Sequence, residues 1–339
     1  MKTVAILGHR GQDGTFLTAQ CRALGHTVVG VDREGGEVLP PNQEGSARGA
    51  DGFGPLDLGN GAEVAAFLQR YRPDFLFYLV AHHHSSDERR EGVSELLGKS
   101  FATHVMGWLN VLEEMKGHAP SCRAVYAASS RVFGGVAEGC RQDELTKFEP
   151  RCVYGITKVA GVETGRMYRE QHGLHVSHAF LYNHESELRT PKFLSQRLCL
   201  AAVAAADSKD AGRVATREVV ADLSAVTDWG YAPDYVDAMW RMAGLPESSD
   251  FIVASGEAHT VADFASEAFA AVGLDYRDHV VEDKSRAFTA QPRRVGDATK
   301  LRQKTGWTPS LSFSGLVKRM VQRAREGSRA QQAELGNHA

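Results

Sequence analysis

The 339-residue chain lacks most of the features that mark specialised classes of protein. No apolar run approaches the ~20 residues needed to cross a bilayer, and Met1-Lys2-Thr3 leads directly into a strand-like run, leaving no room for a signal peptide. A cytoplasmic protein with no membrane partner is expected. Charge of one sign is also lacking. The formal net charge is −3, and no basic stripe or interleaved aromatic run is present, which argues against a nucleic-acid partner. The five cysteines, Cys21, Cys122, Cys140, Cys152 and Cys199, are odd in number and have no metal-ligand spacing. That pattern excludes a disulfide framework and gives no reason to expect a metal. No internal repeat is found.

What the chain does have is alternation. Strand-like runs at Thr3–Leu7, Thr27–Val31, Phe75–Val80, Ala124–Ala127 and Val176–Ala179 are separated by helical stretches at Ala62–Tyr71, Ser100–Lys116 and Gly155–Gln171. This order predicts an α/β fold with a Rossmann-like, doubly wound parallel sheet. Residues 1–182 would form mostly the dinucleotide-binding domain and 183–330 a smaller C-terminal substrate-binding lobe, with crossovers between them, followed by a flexible tail at 331–339. The segment Glu34–Phe53, rich in Gly, Pro and polar residues, reads as a long functional loop. Helices are expected at Pro191–Ala206, Trp229–Met242, after Val261 and after Ser314.

Two sites far apart in sequence carry the chemistry. Gly8-His9-Arg10-Gly11-Gln12-Asp13-Gly14 follows the first strand and opens a helix, the setting in which backbone N–H groups approach a pyrophosphate. Gly8, Gly11, Gln12, Asp13 and Gly14 are therefore candidate cofactor contacts. The second strand ends in Asp32-Arg33, where an acid grips the adenosine ribose and an arginine accepts a 2′-phosphate, so NAD and NADP both remain open. In the second site, Tyr154 lies four residues before Lys158 and on the same helical face. The ammonium is expected to lower the phenol pKa, so that Tyr154 can take a proton from a substrate hydroxyl as hydride leaves the same carbon. Lys158 can also hold the nicotinamide ribose. Ser129, at the end of its strand, can share the hydrogen bond to that hydroxyl. The His82-His83-His84 run suggests a metal, but neighbours on an extended segment point to opposite sides. His82 and His84 are assigned instead to the polar lining of the cofactor and sugar edge.

The chain resembles the extended short-chain dehydrogenase/reductases, and within them is most similar to the GDP-mannose 4,6-dehydratase family. The resemblance rests on Gly11-Gln12-Asp13-Gly14, Pro150-Arg151-Cys152-Val153-Tyr154-Gly155, Asn183-His184-Glu185-Ser186, Asp228-Trp229-Gly230-Tyr231-Ala232-Pro233-Asp234-Tyr235-Val236 and Ser255-Gly256-Glu257-Ala258-His259. It implies oxidation of C4 of a nucleotide hexose, loss of water across C5 and C6, and return of hydride to C6, giving a 4-keto-6-deoxy sugar nucleotide. It further implies Tyr154 as the C4 hydroxyl base, Lys158 as its electrostatic partner and Ser129 as hydroxyl donor. Asn183 and Glu185 would lie near the nucleotide sugar, and Arg197 would meet the diphosphate. Arg286, Arg293 or Arg294 would supply a phosphate contact from a later loop, and Asp57-Leu58 would reach the adenine, unless Asp57 simply caps the next helix. A GDP-hexose is the favoured substrate, and a homodimer or homotetramer, formed through helices such as Ser100–Lys116 and Gly155–Gln171, the expected assembly. His104, where the family often has asparagine, is expected to be a packing residue.

The departures are as informative as the matches. Where the family reads Ser-Glu-x-Tyr-Gly, with the glutamate as C5 base, this chain has Ser130-Arg131-Val132-Phe133-Gly134. A guanidinium is always protonated and cannot be that base. Asp143, Glu144 and His82 are candidate substitutes; Arg131 itself either grips an anionic substrate group such as a carboxylate or pairs with a structural acid. Thr227 also stands where the family has a phosphate-binding arginine, and Asp222 where it has asparagine. Dehydration remains the leading expectation. The alternatives are an epimerase or 4-keto reductase, which needs no glutamate there, and a non-catalytic nucleotide-binding sensor.

Overall fold

The structure, a computed structural model, describes residues 1–42, 51–82, 92–286 and 292–336. Its centre is an eight-stranded sheet. The strands are β1 (Thr3–Leu7), β2 (Thr27–Asp32), β3 (Gly35–Leu39), β4 (Asp51–Phe53), β5 (Phe75–Tyr78), β6 (Arg123–Ser129), β7 (His175–Leu181) and, after four short strands described below, β12 (Asp250–Val253). Their spatial order is β12-β7-β6-β5-β1-β2-β3-β4, parallel throughout except at β3 and β4. Central runs such as Val4-Ala5-Ile6 and Ala124-Val125 are buried completely, as expected for strands covered on both faces.

The covering helices are α1 (Gln12–Ala23), α2 (Gly61–Tyr71), α3 (Val93–Phe101), α4 (Gly107–His118) and α5 (Val153–His172). The smaller lobe is built on α6 (Leu194–Asp210), α8 (Val261–Ala270) and α10 (Phe313–Gly336). Short strands β8 (Asn183–Glu185), β9 (Glu218–Val220), β10 (Val226–Thr227), β11 (Trp229–Tyr231), β13 (His259–Thr260) and β14 (Val280–Glu282) complete it. Leu198, Trp229, Phe264, Phe313 and Met320 form its own apolar core. Two further helices, α7 (Ala232–Gly244) and α9 (Thr299–Thr305), come late in the chain but pack on the main sheet side, α7 against α1 and α9 against β12. The chain thus crosses back to the main sheet after residue 182.

Four differences from the sequence reading have local causes. The expected loop Glu34–Phe53 holds the antiparallel pair β3 and β4, which extends the sheet. Its glycines make close packing possible rather than prevent strand formation, since a Cβ on Gly36 would lie 2.1 Å from the Phe53 ring. The expected helix Ser100–Lys116 is broken by a π-helical turn, Ala102–Met106, whose carbonyls at Thr103 and His104 accept the hydroxyls of Tyr78 (2.6 Å) and Tyr126 (2.9 Å). Residues 229–231 are strand, and α7 begins only at Ala232 with Pro233 in its first turn. The last helix continues to Gly336, past the expected start of the tail, with the Ser328 hydroxyl donating to Asp207 at 2.7 Å.

At the far end of the sheet from the site described below, Asp250 ties β12 to its neighbours. Burial alone would raise its pKa, but hydrogen bonds from His178 (2.7 Å) and Arg169 (2.9 Å) outweigh that and hold the carboxyl well below the usual range. All five cysteines are free thiols. Among the described residues no helix is long and apolar enough to cross a membrane, and no group of three or more His, Cys, Asp or Glu side chains could hold a metal ion.

Candidate active site

The glycine turn lies at the C-terminal end of β1, where ligands bind parallel sheets of this type. Gly8 has φ +91°, and its N–H donates to Val31 at 2.7 Å. A Cβ on Gly14 would lie 2.2 Å from the Gly8 carbonyl oxygen, so helix and turn approach as closely as two backbones can. Gly11 is the N-cap of α1 and no side chain caps the helix, which leaves its first-turn N–H groups for an anion. The Asp32 carboxylate accepts from the N–H groups of Arg33 (2.8 Å) and Arg10 (3.3 Å), fixing an acid at the end of β2. Arg33 beside it is exposed. These features fit the pyrophosphate and adenosine ribose of a dinucleotide. Asp57 accepts from the Gly59 N–H while Asn60 caps α2, so Asp57 is not the cap; the Leu58 carbonyl accepts from Asn110 at 2.8 Å.

The side chains of Gln12 and Asp13 reach another part of the chain. The Gln12 amide donates to the His184 carbonyl (3.3 Å) and accepts from the Ser186 hydroxyl (2.8 Å), and Asp13 pairs with His184 Nε2 at 2.9 Å. Two motifs 171 residues apart thus fasten α1 to β8. His184 also stacks on Tyr235, ring centroids 4.7 Å apart. Burial opposes the charge on His184, but the Asp13 carboxylate overcomes it and the imidazole pKa is raised; Asp13 is correspondingly lowered, against its own burial. Because the folded His184 pKa is raised, its contribution is complete below the ordinary value near 6.5 and is lost as pH rises through the folded value. Titrated by NMR, His184 is expected to show a pKa above 6.5 in the native chain and to lose that elevation in Asp13→Asn. An unchanged titration in the variant would remove the ion pair from the account.

The chemistry-bearing side chains gather at the ends of β6 and α5. Ser129 ends β6 and caps the following 3-10 turn, Ser130–Val132, its Oγ accepting from the Arg131 N–H at 3.2 Å. A Cβ on Gly155 would lie 2.3 Å from the Arg131 carbonyl oxygen, so that turn lies directly against the start of α5 beside Tyr154. Lys158 is buried. Its Nζ donates to the Ala127 carbonyl at 2.7 Å and lies 5.7 Å from the Tyr154 ring centroid. The expected lowering of the tyrosine is not found in the ligand-free chain. Burial pushes the Tyr154 phenol up to about 12, with the Arg131 guanidinium the foremost charge opposing it, and burial pushes Lys158 down to about 7.

His104 is more than a packing residue. It is fully buried in the π-helical turn, its ring meets Tyr154 edge-on at 5.1 Å, and it joins the His82 N–H (to Nε2, 3.0 Å) to the Thr157 hydroxyl (from Nδ1, 2.8 Å). Those two bonds fit a neutral imidazole protonated at Nδ1, since Thr157 donates its own proton to the Val153 and Tyr154 carbonyls. The π-turn, a feature that often marks functional sites, gives no signal in residue spacing.

The other sequence candidates are distributed as follows. His82 lies at the site through its backbone N–H, while His84 lies outside the described residues. Asn183 is exposed on β8, opposite Trp229. Glu185 is buried, accepting from Ser195 at 2.8 Å and paired with Arg189 at 2.9 Å, so its carboxylate is committed inside the lobe. Arg197 is paired with Glu218 at 2.9 Å. Arg286 ends a 3-10 turn, Lys284–Arg286, and its side chain lies outside the described residues. Of the proposed substitutes for the missing glutamate, Glu144 accepts the Ile252 N–H at 2.8 Å and Asp143 is bound into its own turn with Leu145 and Thr146.

A family model described as GDP-mannose 4,6 dehydratase matches residues 5–320. GDP-mannose 4,6 dehydratase 1 of Arabidopsis thaliana is 31% identical over 94% of this chain and 89% of its own. Among solved structures, the dTDP-glucose 4,6-dehydratase of Bacillus anthracis in complex with NAD superimposes with TM-score 0.78 at 15% identity, covering 97% of this chain and 98% of that one. The Thermus thermophilus UDP-glucose 4-epimerase complex with NAD gives 0.75 at 20%, covering 95% and 99%. At these identities the two structures share the fold.

Proposed function

The chain belongs to the GDP-mannose 4,6-dehydratase family, and from that premise we propose that it is an NAD(P)-dependent enzyme that acts on a nucleotide sugar, a GDP-hexose foremost, by oxidising its C4 hydroxyl. The observation that carries this reading is that the Lys158 Nζ, held on the Ala127 carbonyl two residues before Ser129 at the end of β6, lies 5.7 Å from the Tyr154 ring centroid. The nicotinamide supplies a hydride acceptor; the rest is the work of this chain's side chains. Tyr154 takes the hydroxyl proton. It does so as the phenolate; burial pushes its pKa up to about 12, so cations beside it, Arg131 foremost, have to favour that form. Ser129, whose Oγ lone pair is occupied by the Arg131 N–H, keeps its own proton to donate to the same substrate oxygen. Lys158, pushed down to about 7 by burial, would place positive charge near the phenol in its protonated form, and Gly8, Gly11, Gly14 and Asp32 would hold the dinucleotide.

Dehydration across C5 and C6 is the sequel the family implies. A second sequel, return of the hydride to C4, is favoured by Arg131 in place of the C5 base and by the commitment of Asp143 and Glu144 elsewhere. Incubation with GDP-, UDP- and CDP-hexoses, with products read by mass spectrometry, separates them. Loss of about 18 mass units means dehydration and an isomer means hydride return. If every sugar is bound but unchanged and its C4 hydrogen is never removed, the enzyme reading fails. We also propose a homodimer or homotetramer through α3 and α5, which leave Leu97, Phe101, Ile156 and Met167 exposed.

A further inference from the structure

Arg131 does not stand alone at the reacting end of the site. The loop from Pro292 to Gly296 is pinned beside it. Val136 N–H donates to the Arg293 carbonyl (3.0 Å), Gln142 N–H to the Val295 carbonyl (2.8 Å), and Arg294 bridges to Thr227. From this loop Arg294 Nε donates to the carbonyl of Phe133, two residues beyond Arg131, at 3.3 Å. The two guanidiniums are near enough that Arg131, after burial, is the foremost cause holding Arg294 down to about 10. Neither has a carboxylate within ion-pair distance among the described residues, although Arg166, Arg169, Arg189, Arg197, Arg241 and Arg319 each do. Two unneutralised cations held together cost free energy in the empty site, and an arriving anion repays that cost.

The position of the pair limits which anion this is. Arg131 lies against the start of α5 beside Tyr154, and Tyr154 is the group assigned to O4. In a pyranose ring C1, which bears the diphosphate, lies across the ring from C4, whereas C6 is attached to C5, the neighbour of C4. For the Arg131 guanidinium, the foremost charge acting on Tyr154, the C6 substituent is therefore the nearer of the two ring positions that can carry an anion. We propose that the substrate is a nucleotide hexuronate, whose C6 carboxylate is gripped by Arg131 and Arg294. The proposal rests on the reading that C4 of a nucleotide sugar lies over Tyr154. It also explains the missing C5 base. A hexuronate has no C6 hydroxyl to lose, so water cannot leave across C5 and C6. The cycle that remains takes a hydride from C4 and a proton from O4, and returns both with the hydride on the opposite face. This interconverts C4 epimers with no net oxidant and no atom gained or lost. Two guanidiniums on the carboxylate also oppose its departure as CO2, because they stabilise the charge where it starts.

The test compares calorimetric binding of UDP-glucuronate with UDP-glucose, and of GDP-mannuronate with GDP-mannose, to the NAD(P)-loaded protein, with products read by NMR. Each pair shares its diphosphate, so the ratio isolates C6. At least one hexuronate is expected to bind about 10- to 100-fold more tightly than its neutral partner and to yield its C4 epimer. Arg131→Gln and Arg294→Gln are each expected to erase most of that ratio, with Arg131→Lys keeping part of it and melting with the native chain. A neutral hexose that binds as well or better and loses its C4 hydrogen overturns the hexuronate proposal and leaves the C4-oxidation reading standing. Failure of both hexuronates to bind overturns the hexuronate proposal, and the C4-oxidation reading is then decided by the wider hexose panel.

Discussion

Tyr154→Phe is expected to reduce turnover by about 10²- to 10⁴-fold, the usual worth of a positioned acid-base group, while nucleotide-sugar affinity changes only a few fold. The replacement removes one oxygen and keeps the ring, so the edge contact with His104 at 5.1 Å and the packing at the start of α5 survive. What is lost is the hydroxyl assigned to exchange a proton with O4. Ser129 cannot take over, since its hydroxyl is a far weaker base, and Lys158 is turned to the Ala127 carbonyl at 2.7 Å. Steady-state kinetics on whichever sugar the mass-spectrometric panel identifies, with calorimetry on the same variant, reads both quantities. Turnover within a few fold of the native chain would mean that Tyr154 is not the acid-base group. A parallel loss of affinity and turnover would point to packing instead.

Chain order and local patterns carried the central strands, the main helices and the contents of the two motifs, because each rests on neighbouring residues. Thr3–Leu7 with its glycine turn, and Tyr154 with Lys158, are spacings of a few residues, and burial on a parallel sheet follows from continuous apolar runs. What the sequence did not disclose depends on distant partners. The antiparallel pair Gly35–Leu39 and Asp51–Phe53 looks like loop until Phe53 is seen to fill the space above Gly36. The π-turn exists because Tyr78 and Tyr126, from two different strands, take the carbonyls of Thr103 and His104. Gln12 and Asp13 sit in a cofactor motif, yet their side chains bind the segment His184–Ser186. Arg294 is read from sequence as one of three candidate phosphate contacts, and only the return of its loop to Phe133, 161 residues away, brings it next to Arg131. The phenol and ammonium of Tyr154 and Lys158 illustrate the same limit in energetics. Their shared helical face is legible, but the burial that moves their pKa values apart from the simple expectation is a property of the whole fold.

Arg131→Glu is expected to change the outcome of the reaction rather than merely slow it. Under the family's pattern a glutamate at this position takes the C5 proton and assists the C6 hydroxyl, and a positioned base of that kind is worth about 10²- to 10⁴-fold. The 3-10 turn that carries residue 131 lies against Gly155, and its backbone N–H is held by Ser129, so the new carboxylate would project from a fixed support. With a neutral nucleotide hexose, the rate of water loss is therefore expected to rise by at least about 10²-fold over the native chain, read as product lighter by about 18 mass units. The same substitution removes the foremost charge that opposes the raised pKa of Tyr154 and puts an anion in its place. Removing a cation raises a phenol pKa, so the limb of the pH-rate profile that reports the tyrosine should move to higher pH, and C4 oxidation at neutral pH should slow. The two effects are separable, because deuterium at C4 reports the first step and product mass the second. If the folded, cofactor-bound variant removes the C4 hydrogen but never releases water, residue 131 is not aimed at C5, and the correspondence between Arg131 and the family's glutamate fails with it.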